Sequence, residues 1–212
     1  AQIDRIAKNA QYGKNNLLDG SGSGNGVTTG KNLTFVGAGT TGVSSGLHGY
    51  DIEITQAATR TTHTGITALT QAMIDAEEQI TITESGRSVD FKTKAGTTIE
   101  QTLNELDKAI KTAGLDVELV RDVSSKAVRN SPQQLTLRHT RYGSEYFFQV
   151  SSNTAGLLSA VADVSERAQN GVDVAGEIAG EGAIGRGRLL TGAGGFGAKA
   201  EGIVIRYDGE KA

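Results

Sequence analysis

The spacing Gly-x-Gly-x-x-Gly, which is typical of loops that bind dinucleotide cofactors, occurs three times in this sequence. The three sets are Gly37/Gly39/Gly42, Gly180/Gly182/Gly185 and Gly192/Gly194/Gly197. A dinucleotide-binding loop opens directly into a helix, whose N-terminus binds the pyrophosphate. None of the three sets is followed by a helical pattern. Because a chain of 212 residues with 29 glycines produces this spacing by chance, we predict no bound cofactor.

The other residue types that could perform chemistry do not form a recognisable site. His48, His63 and His139 are far apart in the sequence, whereas a zinc site needs more ligands at close spacing. We interpret His139 as a solvated or hydrogen-bonded strand residue. Glu77 and Glu78 are adjacent carboxylates, but their segment has a solvated pattern. Since no histidine has a recognisable setting for a Ser–His–Asp triad, we predict no catalytic or metal-binding residues and no enzymatic activity.

Charge and hydropathy exclude two classes of partner. The formal net charge is −3 and no basic run occurs, whereas a nucleic-acid surface needs clustered lysine and arginine. No apolar stretch approaches the roughly 18 residues that a membrane-spanning helix requires. We therefore predict binding neither to nucleic acid nor to membranes. The absence of cysteine excludes disulfides and thiol chemistry, but indicates little about the compartment.

The hydrophobic patterning predicts an α+β fold that is mainly β. One helix is clear, at about 98–113, because its apolar residues recur at helical spacing: Ile99, Leu103, Leu106 and Ile110. Thr97 and Glu100 have the spacing of a capping box, and Gly114 is a natural stop. Shorter helices are predicted near 68–76 and within the AGLLSAV stretch that begins at Ala155.

Alternation of polar and apolar residues predicts many short strands. Residues 33–36 and 50–55 have this pattern, and QITIT and SVDFKT are predicted to form a β-hairpin across ESGRS. LDVELV, QLTLRHT and EYFFQVSS are further strands, the last two joined by RYGS. In the glycine-rich final part we predict strands at 172–178, 188–191 and 202–207, with only turns or glycine-rich loops between them.

The N-terminal sequence QIDRIAKNAQYGKNNLLDGS, residues 2–21, resembles the conserved N-terminal segment of bacterial flagellins. In that family a long helix ends in IDRIA, and LLDG anchors the chain before a β-hairpin. LTFVGAGTTG, residues 33–42, resembles the strand and turn that follow, although the usual QVGAN is here VGAGT. Four apolar residues of this region are candidates for structural and assembly contacts: Ile3, Ile6, Leu17 and Leu18.

The middle of the chain resembles the hook-IN module of flagellins, filament caps and hook-associated proteins. The stretches GTTIEQTLNELDKAIKTAGLDVELV and QLTLRHTRYGSEYFFQVSS carry this resemblance, with the pattern helix, strand, then strand pair. GVDVAGEIAGEGAIGRGRLLTG resembles the segment that follows the module. The resemblance implies a partial flagellin core domain at 1–45, an outer domain with the hook-IN-like module at 46–165, and a glycine-rich β segment at 166–212 that completes the outer domain.

The resemblance implies a structural subunit of the flagellar filament that lacks most of its two ends. We expect such a chain to be an extracellular, surface-exposed part of the flagellum that is monomeric and does not polymerise. Its partners would be other flagellin subunits, the flagellar export machinery and an export chaperone. A hook-associated or filament-cap protein is the first alternative. A surface adhesin that binds glycans is the second, although the chain has few aromatic residues for such a platform.

Overall fold

The computed structural model describes residues 11–12, 15–16, 26–39, 45, 48–121 and 131–212. The four assembly candidates Ile3, Ile6, Leu17 and Leu18 lie outside the described residues. Within the described residues, antiparallel strands predominate and two helices are present, which confirms the predicted α+β, mainly β class. The chain divides into two compact units, one formed by residues 59–172 and the other by residues 1–58 with 173–212.

The unit of residues 59–172 contains two antiparallel sheets and both helices. The three-stranded sheet has the order β5-β9-β8, and the four-stranded sheet has the order β11-β10-β6-β7. The elements in chain order are β5 (Arg60–Leu69), α1 (Gln71–Asp75), β6 (Gln79–Glu84), β7 (Arg87–Lys92), α2 (Ile99–Thr112), β8 (Val117–Val120), β9 (Gln133–Tyr142), β10 (Gln149–Ser152) and β11 (Glu166–Arg167).

The hairpin predicted from alternation is confirmed as β6 and β7, whose register pairs Glu84 with Arg87. Its two turn residues, Ser85 and Gly86, have φ angles of 49° and 78°. Positive φ at both central residues is the signature of the type I′ turn, whose twist matches that of the strands. The turn chemistry of ESGRS therefore sets the register of the whole hairpin.

Helix α2 forms as predicted because one of its faces is apolar. Ile99, Leu103, Leu106 and Ile110 are all buried in one core cluster with residues of both sheets, including Ile80, Val89, Leu135 and Leu137. Burying a large aliphatic side chain contributes roughly 1.5–3 kcal/mol, so this stripe is the main contribution of α2 to the core. Gly114, with a φ of 68°, ends the helix as predicted.

The capping box of α2 lies one residue later than the sequence predicted. Thr98 Oγ1 accepts a hydrogen bond from the backbone N–H of Gln101 at 3.2 Å, and Gln101 Oε1 accepts one from the backbone N–H of Thr98 at 3.0 Å. Thr97, the predicted cap, instead donates its hydroxyl to the carbonyl of Lys94. Gln101 replaces Glu100 because glutamine and glutamate serve equally at the third helical position.

Replacing Thr98 with alanine should lower the free energy of unfolding by about 1 kcal/mol, because an N-cap acceptor is lost. Thr98→Ser, which retains the hydroxyl, should keep most of that stability. Urea-induced unfolding followed by far-UV circular dichroism measures both. Equal stability of the alanine and serine variants would show that Thr98 does not cap α2.

Interactions with neighbouring segments change two of the predicted helices. The helix predicted at 68–76 is shorter, since Ala68 and Leu69 pair with β9 and Thr70 is the N-cap of α1. The helix predicted within AGLLSAV is absent from the described residues, where Leu158 and Ser159 donate their backbone N–H groups to Ser152 Oγ. Such side-chain acceptors compete with helical hydrogen bonds.

The strands QLTLRHT and EYFFQVSS, which were predicted to be joined by RYGS, enter different sheets. β9 lies between β5 and β8, whereas β10 lies between β11 and β6. The chain leaves β9 at Gly143, whose backbone N–H donates to the carbonyl of Thr59 at 2.9 Å. This hydrogen bond holds the end of β9 beside the start of β5, before the chain crosses to the other sheet.

The second unit is built around a six-stranded antiparallel sheet with the order β3-β15-β14-β13-β12-β4. A separate pair joins β1 (Gln11–Tyr12) and β2 (Asn15–Asn16). The strands of the sheet are β3 (Leu33–Gly37), β4 (Ile52–Gln56), β12 (Ala175–Ile178), β13 (Glu181–Arg186), β14 (Leu189–Gly192) and β15 (Val204–Tyr207). Ile178, Leu190 and Ile205 are buried on one side of this sheet.

The strands predicted from residues 33–36, 50–55, 172–178, 188–191 and 202–207 are confirmed with small shifts at their ends. The prediction that only turns and loops lie between the last three is wrong, because Glu181–Arg186 forms β13. Ala179 and Gly180, with φ angles of 59° and 72°, make the tight turn that starts this strand. β13 was missed because two of its six residues are glycine, Gly182 and Gly185, and its apolar alternation is weak.

Candidate functional site

The glycine triplets lie in antiparallel strands and turns of the second unit. Gly37 ends β3, and the backbone N–H of Gly39 donates to the carbonyl of Gly202 at 2.8 Å; Gly42 lies outside the described residues. Gly180 is a turn residue, and Gly182 and Gly185 belong to β13. Most of the second triplet thus lies within a strand, in which Gly182 pairs with Glu177 and Gly185 pairs with Leu190. No helix follows this triplet directly.

Two of these glycines are required by the close approach of backbone. A Cβ atom at Gly185 would overlap the carbonyl oxygen of Val174, and one at Gly192 would overlap that of Ala200. A Cβ at Gly182 would meet nothing within 4 Å. Close packing of the backbone therefore explains why glycine is present at positions 185 and 192. Allowing such a close approach is a structural role of glycine in strands.

The three histidines occupy unrelated positions. His48 is exposed, and His63 in β5 contacts the carbonyl of Leu158 through Nε2. His139 in β9 is completely buried, and its Nδ1 accepts the backbone N–H of Arg141 at 3.0 Å. The structure thus brings no two histidines together, and no group of three potential metal ligands occurs among the described residues.

His139 and Glu84 form a buried polar pair that the sequence interpretation missed. The His139 Nε2 and Glu84 Oε1 atoms are 3.7 Å apart, both side chains are nearly inaccessible, and Nε2 has no hydrogen-bond partner among the described residues. Tyr146 stacks on the imidazole with ring centroids 5.2 Å apart. Because Nδ1 accepts a backbone proton, the neutral ring carries its proton on Nε2, facing the carboxylate.

The pKa of the Glu84 carboxyl is held below its ordinary value. Burial raises this pKa, but three features together outweigh burial. The Ser85 hydroxyl donates to Glu84 Oε1, the backbone N–H of Asp116 donates to Oε2 at 3.4 Å, and the imidazole of His139 lies alongside. Each of these favours the ionised carboxylate.

This lowered pKa predicts a pH-dependent contribution to stability. A carboxyl whose pKa is lower in the folded than in the unfolded state stabilises the fold above its unfolded pKa, and this stabilisation is lost as the pH falls through the folded pKa. The excess stability of the wild type over Glu84→Gln should therefore shrink between about pH 5 and pH 3. Unfolding by urea at a series of pH values measures it.

Ser85→Gly is the matched variant for this pH series. It removes the hydroxyl that donates to Glu84 and suits the positive φ of this turn position. It should reduce the pH-dependent part of the stability without abolishing it. A difference between wild type and Glu84→Gln that stays constant from pH 7 to pH 3 would contradict the assignment.

The adjacent carboxylates Glu77 and Glu78 separate into two environments. Glu77 is exposed and pairs with Lys92. Glu78 is buried, and its carboxylate accepts the backbone N–H of Thr154 at 3.0 Å and the Thr154 hydroxyl. The expectation that this segment is solvated is therefore wrong for Glu78, which ties α1 and β6 to the segment after β10.

Charged residues on the surface of β5, β8 and β9 form a cluster around Glu118. Arg60 Nη1 lies 2.8 Å from Glu118 Oε1, and Arg138 Nη2 lies 2.7 Å from the same oxygen. The Arg60 guanidinium also covers the ring of Tyr142, 4.5 Å from its centroid. Partly exposed ion pairs of this kind contribute little to stability, so we interpret the cluster as a surface feature.

No described residues form a site suited to catalysis. The buried pair of His139 and Glu84 is closed to a substrate, since both side chains are inaccessible.

Two surface grooves are open to solvent. One, of about 440 Å³, lies between α2 and β7, and the other, of about 390 Å³, lies beside Tyr50 and Glu177. No helix among the described residues is long and apolar enough to cross a membrane.

The fold is similar to solved structures of the flagellar cap protein FliD. The D2–D3 domains from Escherichia coli align with a TM-score of 0.55 and 14% identity, over 87% of this chain and 92% of that chain. The D2–D3 domains from Serratia marcescens in space group P432 align with a TM-score of 0.53 and 15% identity, over 83% and 92%. This chain has the fold of these two-domain structures.

A longer structure of the Escherichia coli protein, which includes D1, aligns with a TM-score of 0.52 and 14% identity, over 85% of this chain and 53% of that chain. The chain therefore spans about half of that three-domain structure. No protein-family model matches the sequence, and no curated protein matches it. These solved structures are cap-protein domains, whereas the pattern of residues 2–21 resembles flagellin.

Proposed function

We propose that this chain is an extracellular, surface-exposed part of a structural protein of the bacterial flagellum. The observation that carries the proposal is the alignment with the cap-protein D2–D3 domains, which covers nearly the full length of both chains. The described residues are consistent with a structural role, since the buried carboxylates of Glu78 and Glu84 accept hydrogen bonds from other segments of the chain. We propose no enzymatic activity.

Within the flagellum, the fold favours a filament-cap or hook-associated protein. The likeness extends through both units of this chain, since it covers 87% of the residues. Its proposed partners are the subunits at the filament end and the flagellar export machinery with its chaperone.

Flagellin is the second candidate, and a different observation favours it. Residues 2–21 resemble the conserved flagellin segment, and β3 confirms the strand predicted from residues 33–36. A flagellin whose outer region has the cap-protein fold accommodates both the sequence pattern and the alignment. In that case the partners are neighbouring subunits along a helical array, which arises from contacts that do not close into a ring.

Assembly of the complete gene product tests the proposal. The purified protein is incubated under filament-forming conditions, alone and with preformed flagellar filaments, and examined by electron microscopy. Long filaments from the protein alone indicate flagellin, and binding at filament ends indicates a cap or hook-associated protein. A protein that stays monomeric and binds no part of the filaments would contradict both candidates.

A further inference from the structure

Strand β7 lies at one edge of the four-stranded sheet, where it pairs with β6 and with no other described strand. Hydrogen-bonded pairs alternate with non-hydrogen-bonded pairs along two antiparallel strands. The backbone N–H of Thr93 donates to the carbonyl of Glu78 at 2.9 Å, which fixes this alternation between β7 and β6. The backbone groups that point away from β6, towards the free edge, therefore belong to Ser88, Asp90 and Lys92.

The side of β7 that faces α2 is apolar. Val89 is buried in the core cluster, and Phe91 is partly buried against the same cluster. The groove of about 440 Å³ between α2 and β7 lies on this side, next to Val89 and Ala109. A further strand added to the free edge would place apolar side chains beside this groove, because side chains that are opposite each other in a sheet share a face.

The other side of β7 has two opposite charges at alternate positions. Asp90 and Lys92 are both exposed. Asp90 accepts the hydroxyl of Thr81 at 2.7 Å, and Lys92 pairs with Glu77. Both retain capacity for another contact, since a carboxylate has about four acceptor positions and an ammonium has three donors. Charged residues on an edge strand discourage pairing with most other strands, but this pair suits a strand with the opposite order of charges.

An antiparallel copy of β7 has the opposite order of charges. When Phe91 of one copy is opposite Phe91 of the other, Asp90 of each copy is opposite Lys92 of its partner. Opposite charges in such cross-strand positions stabilise a sheet, and like charges destabilise it. The registers on either side place Asp90 opposite Asp90 or Lys92 opposite Lys92. The charges therefore select the register that is centred on Phe91.

The alternation of backbone hydrogen bonds suits the same register. Asp90 and Lys92, whose backbone groups are directed to the free edge, form the hydrogen-bonded pairs between the copies. The two Phe91 residues form a non-hydrogen-bonded pair, in which side chains are closest. Aromatic pairs in antiparallel strands are favourable, and each ring covers the exposed part of the other.

We propose that β7 pairs with β7 of a second copy of this chain, with a twofold axis at Phe91. The axis is perpendicular to the sheet, so the two four-stranded sheets become one sheet of eight strands and both α2 helices remain on the same side of it. Such a contact uses the same surface on both copies, as twofold interfaces do. This inference rests on the free edge of β7 and not on the proposed function.

The short strand limits the strength of the contact. About five paired residues extend over roughly 17 Å, which is a smaller interface than the roughly 800 Å² per partner of stable protein pairs. The association is therefore weak in dilute solution, where the chain is monomeric. Its effect appears at high concentration or where copies are held side by side, because a raised local concentration increases occupancy.

Exchange of the two charges tests the proposal. Asp90→Lys places lysines opposite each other between the copies, and Lys92→Asp places aspartates opposite each other. Analytical ultracentrifugation at low salt, up to millimolar concentration, measures association of the 212-residue chain. Each variant alone should associate at least about tenfold more weakly than the wild type, because like charges then face each other. An equimolar mixture of the two variants should associate like the wild type, since every lysine is then opposite an aspartate. The double variant Asp90→Lys/Lys92→Asp should do the same by itself.

Glu210→Lys and Lys211→Asp are the matched controls, because they make the same changes of net charge at exposed residues outside β7 and α2. Glu77→Gln is a third control, since it removes the ion pair of Lys92 within one copy. All three should associate like the wild type. Circular dichroism and thermal melting establish that every variant is folded. A wild type that is monomeric throughout the concentration range, or a mixture that associates no better than its two components, would overturn the proposal.

Discussion

Replacing Phe148 with alanine should lower the free energy of unfolding of the unit at residues 59–172 by about 3–5 kcal/mol, as expected for a large cavity in a core. Phe148 is completely buried in the core cluster that α2 shares with both sheets. Its backbone carbonyl also accepts the N–H of Ala168 at 3.0 Å. The ring therefore fills space next to the start of β10, where little rearrangement can close the cavity.

The neighbouring Phe147 provides the matched control for this substitution. Its ring is 43% exposed and lies 4.0 Å below the guanidinium carbon of Arg167. Phe147→Ala removes an exposed cation–π contact, which contributes about 0.5–1 kcal/mol. Both variants are compared by urea-induced unfolding at 222 nm, where the signal of α2 reports on this unit. Similar losses from the two substitutions would contradict the placement of Phe148 in the core.

Gly185→Ala should destabilise the second unit by about 1–3 kcal/mol or more, the cost of forcing extra atoms into a packed region. The added Cβ would overlap the carbonyl oxygen of Val174, which is backbone and cannot move aside as a flexible side chain could. Gly185 has an ordinary negative φ, so the effect arises from contact and not from backbone conformation. The loss should appear as a lower midpoint of thermal unfolding.

Gly182→Ala is the control within the same strand. A Cβ at Gly182 meets nothing within 4 Å, and alanine loses less conformational entropy on folding than glycine. This variant should be as stable as the wild type or slightly more stable. The two substitutions also distinguish a structural role of the glycine spacing from a phosphate-binding role. Equal effects at positions 182 and 185 would contradict the packing explanation.

Local sequence patterns predicted those elements that are formed by residues close together in the sequence. The α2 stripe, the glycine stop at Gly114 and the type I′ turn of the β6–β7 hairpin follow from helical spacing and turn chemistry. β13 does not, because two of its six residues are glycine and its apolar alternation is weak. The ten-residue β5 does not, because its pairing partner is distant in sequence. The residues of β5 lie more than 60 positions from those of β9 with which they pair. This pairing places Ala68 and Leu69 in a strand and so shortens the helix predicted at 68–76.

The buried polar residues carried a signal in the sequence that the interpretation did not use. Ile80, Ile82 and Glu84 have the same parity along β6, and all three are buried, as is Glu78 directly before the strand. Leu135, Leu137 and His139 likewise occupy alternate positions of β9, and all three are buried. Alternation therefore places Glu84 and His139 on the core side of their strands. Their closeness to each other depends on how two sheets pack, which periodicity alone does not predict.

The positions of charged residues in the six-stranded sheet could not have been predicted from the sequence. Glu53 and Glu177 are 124 positions apart, yet they are directly opposite in the sheet. Likewise, Arg186 and Arg206 lie on strands that flank Leu189. Only the order of six strands and their register bring these residues to opposite ends of one surface.

Immunogold electron microscopy of the source bacterium tests the central claim most directly. Antibodies raised against this 212-residue chain are applied to intact cells and to a deletion strain as the control. We expect gold particles on the flagella of wild-type cells only, at the filament end for a cap or hook-associated protein and along the filament for flagellin. Labelling that is absent from the flagella while the protein is expressed would contradict the claim that this chain is part of the flagellum.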